Sequence, residues 1–332
     1  MQYIKLLCLS VLLVSCSKEN DDNLLTIYTS RQPQLIEPLM EQYTEKTGIK
    51  VRLLSGKAPE LMERISVEGE ETKADIFMTV DAGVLWQAGE RGIFENVESE
   101  MLNNNIPEHL RDMDGKWFGL SKRARTIVYS SDNISGSDLS TYENLAYPTW
   151  SNKLCLRTSK KVYNRSLIAS MIDAHGYERT KEVVQGWVNN LATEVFSSDT
   201  QVLKAVSAGQ CRITIVNTYY LARLADDPQY SNLKLHWANQ DGRGTHVNIS
   251  GAGVVKGSNN KAEAVKLLEW LSSSAAQEVY AGANKEFPVL KGIKVGQTLS
   301  NWGDFKEDLI SVEKLGSLQK EAVLLAQEAG YK

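Results

Sequence analysis

The segment Arg212-Ile213-Thr214-Ile215-Val216-Asn217-Thr218-Tyr219-Tyr220-Leu221-Ala222-Arg223 passes from a β-branched run into a helical pattern, and two adjacent tyrosines sit at the change. On a regular strand neighbouring side chains face opposite sides of the sheet, and on a regular helix they diverge by about 100°. Where the backbone turns from one into the other, both phenols can converge on one point. Phenolate oxygen is a hard donor, and hard donors suit small, highly charged cations. With 13 tyrosines in 332 residues an adjacent pair also arises readily by chance, so the context of the pair carries the argument.

That context is an alternation of strands and helices. Leu25 to Thr29, Ile49 to Leu54 and Asp75 to Val80 read as strands. Helical faces over Pro33 to Thr47 and Ala58 to Glu68 separate them, and Asp81 is placed to cap the helix that follows. The order βαβαβα implies a mostly parallel sheet covered on both faces. Trp117 to Leu120 and Thr126 to Tyr129 then read as two consecutive strands, where the chain crosses into a second lobe. There the pattern predicts a strand at Lys153 to Arg157, helices at Ser166 to His175, Tyr177 to Leu191 and Thr200 to Ala208, and a strand at Arg212 to Val216. Val247 to Val255, with Gly251 and Gly253, reads as the strand that returns, and Lys261 to Ser272 as a helix completing the first lobe. A chain that leaves one α/β lobe, builds another and returns makes a two-lobed clamshell. Ligands of open α/β sheets lie beyond the carboxyl ends of the strands. Tyr28 to Pro33, Thr158 to Asn164 and Asn217 to Tyr220 meet that condition.

The compartment is written at the amino end. Lys5 precedes an apolar run from Leu6 to Val14 that is too short for a permanent membrane span, so residues 1–15 read as a signal peptide. Leu13-Val14-Ser15-Cys16 resembles a bacterial lipobox, which would make Cys16 an acylated mature terminus; the alternative is an incidental thiol in an ordinary signal sequence. Residues 16–24 are mostly polar and read as a lipidated tether. Of the 4 cysteines, only Cys155 and Cys211 remain in the folded part. In an oxidising compartment they suggest one disulfide, against two buried free thiols. A bridge would tie the strand before Tyr163 to the strand before Tyr219 and Tyr220.

Three of these segments, Tyr28-Thr29-Ser30-Arg31, Val162-Tyr163-Asn164-Arg165-Ser166-Leu167 and Asn217 to Arg223, resemble motifs of the bacterial ferric-iron-binding proteins, the extracytoplasmic receptors of iron(III) ABC importers. Asp75 to Trp86 resembles the same family, and the likeness runs from about Leu25 to the carboxyl terminus. It implies a type II periplasmic-binding-protein clamshell, each lobe a mixed, mostly parallel sheet flanked by helices, with lobes at 25–121 plus 248–293 and 122–247 plus 294–332. It further implies Fe(III) as cargo, Tyr163, Tyr219 and Tyr220 as ligands, an ABC permease as partner, and a monomer held to a bacterial membrane by its lipid, facing the periplasm or cell exterior. Three phenolates neutralise one ferric ion and leave positions for water or a small anion such as carbonate. Binding should release protons, because a free tyrosine has a pKa near 10.

This chain departs from the family in the first lobe. Many members carry a histidine, or a His-Tyr pair, where Gln32-Pro33 stands here. Tyr28 is then a candidate fourth phenolate or a core residue. Arg31 is the candidate for holding an anion, since a guanidinium presents a planar fork to an oxyanion. Asn217 and Arg223 are candidates for anion binding or for orienting a phenolate. The competing readings are a receptor for an oxyanion or small organic acid, held by Arg31 and Asn217, and an exported iron enzyme. The 4 histidines show no ligand spacing for zinc or copper, and no Gly-x-Ser-x-Gly elbow supports a serine hydrolase. With 37 basic and 41 acidic residues and a net charge of −4, nothing marks a nucleic-acid partner.

Overall fold

The computed structural model describes residues 23–332. The signal peptide, Cys16 and nearly all of the tether lie outside the described residues. Eight strands follow in chain order: β1 (Leu24–Thr29), β2 (Lys50–Ser55), β3 (Ile76–Thr79), β4 (Phe118–Ser130), β5 (Leu154–Cys155), β6 (Ile213–Asn217), β7 (Leu233–His236) and β8 (Val247–Val254). β1 pairs in parallel with β2 and β3, and β5 in parallel with β6. The helices Glu37–Thr47 and Ala58–Glu68 supply the crossovers in the first group. Asp81 caps the helix Ala82–Glu90 by accepting from the amides of Gly83 and Val84.

The sheet is mixed, and the expectation of mostly parallel strands holds for β2-β1-β3 and for the short pair β5-β6. β4 and β8, which carry the chain across and back, pair antiparallel with each other and with their other neighbours. β4 is also one continuous strand, where two were expected. Its first half, Phe118 to Ala124, pairs with β8, and its second half, Arg125 to Ser130, pairs with β6 and β7. The sequence reading broke at Ser121-Lys122-Arg123-Ala124-Arg125 because charged residues rarely fill a sheet. Here Arg123 and Arg125 are buried. Gly251 and Gly253 in β8 fit this crossing, since a Cβ on either would lie 2.4 Å and 2.3 Å from the carbonyl oxygens of Phe118 and Lys116.

The helix Val162–His175 begins four residues earlier than the pattern predicts. Its cap position, Lys161, makes no side-chain bond, so the usual sequence signal for a helix start is missing. Tyr163 consequently sits in its first turn. The carboxyl-terminal helices divide between neighbours: Gln319–Glu328 packs on Val162–His175 and Tyr177–Asn189, whereas Val312–Ser317 lies chiefly on Ala82–Glu90. Residues 294–332 therefore contact helices from both expected lobes.

Cys155 and Cys211 form a disulfide with 5.9 Å between their Cα atoms. It clamps β5 to the approach of β6, the two strands whose carboxyl ends lead to the tyrosines. Closing a loop of this length stabilises a fold by about 2–4 kcal/mol. Replacing both cysteines with serine should lower the unfolding free energy by an amount of that order and bring the thermal midpoint down with it, measured by calorimetry, and an unchanged midpoint would contradict the structural role of the bridge.

Candidate metal centre

Two helices deliver three tyrosines to one point. β6 ends at Asn217, whose extended backbone (φ −74°, ψ 140°) leads directly into the helix Thr218–Leu224, and Tyr219 and Tyr220 fill its first turn. Their rings lie 4.3 Å apart between centroids and are tilted by 37°, so the junction aims both phenols the same way. Tyr163 comes from the first turn of Val162–His175, and its phenol meets that of Tyr219. The amino end of that 14-residue helix favours negative charge nearby.

The three tyrosines line a cavity of about 100 Å³ with Ser30, Arg31, Arg123, Arg223, Ser250 and Glu286. Water occupies about 30 Å³ per molecule in the liquid, so the space suits one cation with a few small ligands. Three guanidinium groups face it against the single carboxylate of Glu286. Arg31 donates to Glu286 Oε2 at 2.8 Å and lies 5.2 Å from the Tyr280 ring, while its Nε has no partner. Ser121 donates to the same carboxylate oxygen at 2.6 Å. Arg123 stands 5.2 Å over the Tyr163 ring and donates to Ser250 and to the Val80 carbonyl. Arg223 lies 5.1 Å and 6.0 Å from the rings of Tyr219 and Tyr220. A cation over an aromatic face is attracted by its quadrupole.

Beneath the phenols lies a buried polar set. Arg157 donates to Asp199 and reaches the Tyr220 hydroxyl at 3.5 Å. Asn217 donates through Nδ2 to the Tyr219 hydroxyl at 3.4 Å. Its carbonyl oxygen accepts from Arg125 at 3.1 Å. Asn217 is thus behind Tyr219, where it orients a phenol, and not on the cavity wall.

Of the residues named from sequence, the structure brings Tyr163, Tyr219, Tyr220, Arg31 and Arg223 together, with Asn217 behind them. Tyr28 is elsewhere. Its hydroxyl donates to Glu68 at 3.1 Å, Arg64 covers its ring, and it packs β1 against the helix Ala58–Glu68. That placement corrects its candidacy as a ligand. Arg123, Arg125, Arg157, Asp199 and Glu286 were missed. One signal was present: Ser121, Arg123 and Arg125 share one face of a strand by their period of two. Among the described residues no group of three histidine, cysteine or acidic side chains forms a metal site, which leaves the tyrosines as the concentrated donor set.

The sequence profile of the bacterial extracellular solute-binding proteins matches residues 71–306. The chain belongs to that family. Among its relatives, Iron uptake protein A1 of Synechocystis sp. is 43% identical over 338 residues, spanning 97% of this chain and 94% of that protein. The Trichodesmium protein IdiA (FutA), solved with iron and citrate ligands, superposes with a TM-score of 0.89 at 43% identity, over 93% of this chain and all of that one (100%). The ferric binding protein of Campylobacter jejuni gives 0.87 at 36% identity, over 93% of this chain and 100% of that one. The fold of this solute-binding protein is accordingly the type II clamshell, and its tyrosine cavity occupies the crevice beyond the carboxyl ends of β1, β3 and β6.

Burial raises the pKa of Tyr219 well above the ordinary phenol value, and the neighbouring phenols of Tyr163 and Tyr220 add to the shift. Burial also raises Tyr163, while Arg123 pulls it back. In the empty receptor both phenols are therefore protonated at neutral pH. Ultraviolet difference titration of the cation-free protein should show Arg123→Met raising the Tyr163 transition further. A Tyr163 transition that stays in place would contradict the role given to Arg123.

Proposed function

We propose that this solute-binding protein captures ferric iron with the phenolates of Tyr163, Tyr219 and Tyr220 and hands it to an ABC permease. The observation that carries the reading is the convergence of three phenols on one small cavity. Ferric iron is hard and highly charged, so it favours oxygen donors and displaces their protons. Three phenolates cancel its charge, and the arginines then leave the site positive, which suits carbonate or another small anion beside Arg31. The same arginines would serve an oxyanion or organic acid alone; such a ligand has no need of three converging phenols, and this favours iron. The names carried by relatives, iron uptake and ferric binding, agree with it.

Transport in place of catalysis fits a site whose side chains are donors and cations, with no group set to move protons in a reaction. In this reading residues 25–121 with 248–293 form one lobe and 122–247 the other, with the helices after 294 shared. The receptor is exported, anchored through Cys16 to a bacterial membrane facing the periplasm or cell exterior, and acts as a monomer. Among the described residues no helix is long and apolar enough to cross a membrane.

Ferric salt should give the purified protein a visible phenolate-to-iron charge-transfer band. Tyr219→Phe with Tyr220→Phe should remove the band and at least two decades of affinity, about 3 kcal/mol, with the fold intact by circular dichroism. Retained colour and affinity in the double variant would sink the ligand assignment.

Binding should also release protons, because the raised phenols must ionise to take the metal. Falling pH favours the protonated, empty form, so affinity declines with acid. Proton release measured in weak buffer on adding ferric ion checks this, and zero release would refute it.

A further inference from the structure

We propose that Arg125, held by Asp199, is a positioning hub that fixes all three tyrosines before the cation arrives. This rests on the reading that the tyrosines bind ferric iron and assigns a role to residues behind them. Arg125 projects from β4 and is 2% exposed. Its Nη1 donates to Asp199 at 3.2 Å and to Asn217 at 3.1 Å, and its Nη2 donates to Asn164 at 2.5 Å and to the Ile215 carbonyl at 3.0 Å.

Each of the three side-chain partners leads to a tyrosine. Asn164 adjoins Tyr163, and its amide nitrogen donates to the carbonyls of Arg157 and Thr158 at 2.9 Å. This secures the start of the helix that carries Tyr163. Asn217 is forced into one amide orientation: with its oxygen on Arg125, its nitrogen faces Tyr219. The second oxygen of Asp199 holds Arg157, which reaches Tyr220. Guanidinium and amide nitrogens only donate here, so the oxygens of Tyr219 and Tyr220 accept from behind. When a cation displaces a phenol's proton to solvent, the same contact becomes a charge-assisted bond.

A buried Arg–Asp–Arg set adds little net stability compared with apolar packing of the same volume. Its contribution here is geometry. The strand that crosses between the lobes thereby also sets the donor positions, so the cation meets a prearranged site.

The test compares ferric titrations of the parent, Asp199→Asn and Arg125→Lys, with fold checked by circular dichroism and by the intact Cys155–Cys211 bond. The hub predicts folded variants that still bind iron with affinity lowered about 10–100-fold, the usual cost of losing support behind metal ligands, and with a displaced charge-transfer maximum. Asp199→Glu should recover part of both. Should Asp199→Asn fail to fold, Asn217→Ala and Asn164→Ala isolate the arms to Tyr219 and Tyr163, and each should shift the band. Variants that lose only thermal stability, with parental band and affinity, would overturn the hub while leaving the iron reading intact. A parent protein that binds no ferric iron would end the iron reading, and the hub with it.

Discussion

The antiparallel pairing of β4 with β8 is the interaction on which the rest depends. The first half of β4 joins, through β8, the group led by β1 and β3, and its second half pairs with β6 and β7, so one eight-stranded sheet runs through both groups. A strand common to both groups lies where a hinge movement around a ligand would have to act. The same strand places Arg123 beside Tyr163 and Arg125 against Asp199, Asn164 and Asn217, so the element that joins the lobes also builds the surroundings of the site.

The phenols stand on helices that follow β5 and β6, while Arg31 and Glu286 approach from the opposite wall. This separates two tasks. Under the proposed assignment coordination would need only the tyrosine side, whereas charge balance would draw on both. Burial keeps the phenols of Tyr163 and Tyr219 protonated in the empty site, and Arg123 offsets part of that penalty. A hard trivalent cation supplies the remainder by displacing the protons. A weaker cation would gain less from the same exchange, so under the proposed assignment the protonated state would itself discriminate among metals.

Much of this was legible in the sequence because local pattern and tertiary placement agree there. The turn from β-branched Ile213–Val216 into a helical run marks the junction that aims Tyr219 and Tyr220, and the two cysteines lie where strands meet. The sequence left Tyr28 open between ligand and core because a strand residue just before a binding loop can face either side, and the partner that decides, Glu68, is remote in sequence. Arg125 and Asp199 were hidden because a lone charge reads as surface until its partners, 74 residues apart in this case, are seen together. Glu286 follows a short loop with no periodic signal, and only its bond to Arg31 reveals it.

Resonance Raman spectroscopy of the ferric-loaded protein tests the central claim most directly, because excitation within the visible band enhances only the vibrations of groups bound to the metal. The account predicts enhanced tyrosinate ring modes that weaken when Tyr163, Tyr219 or Tyr220 is individually replaced by Phe. Iron bound without tyrosinate modes, or with modes that survive all three replacements, would contradict it.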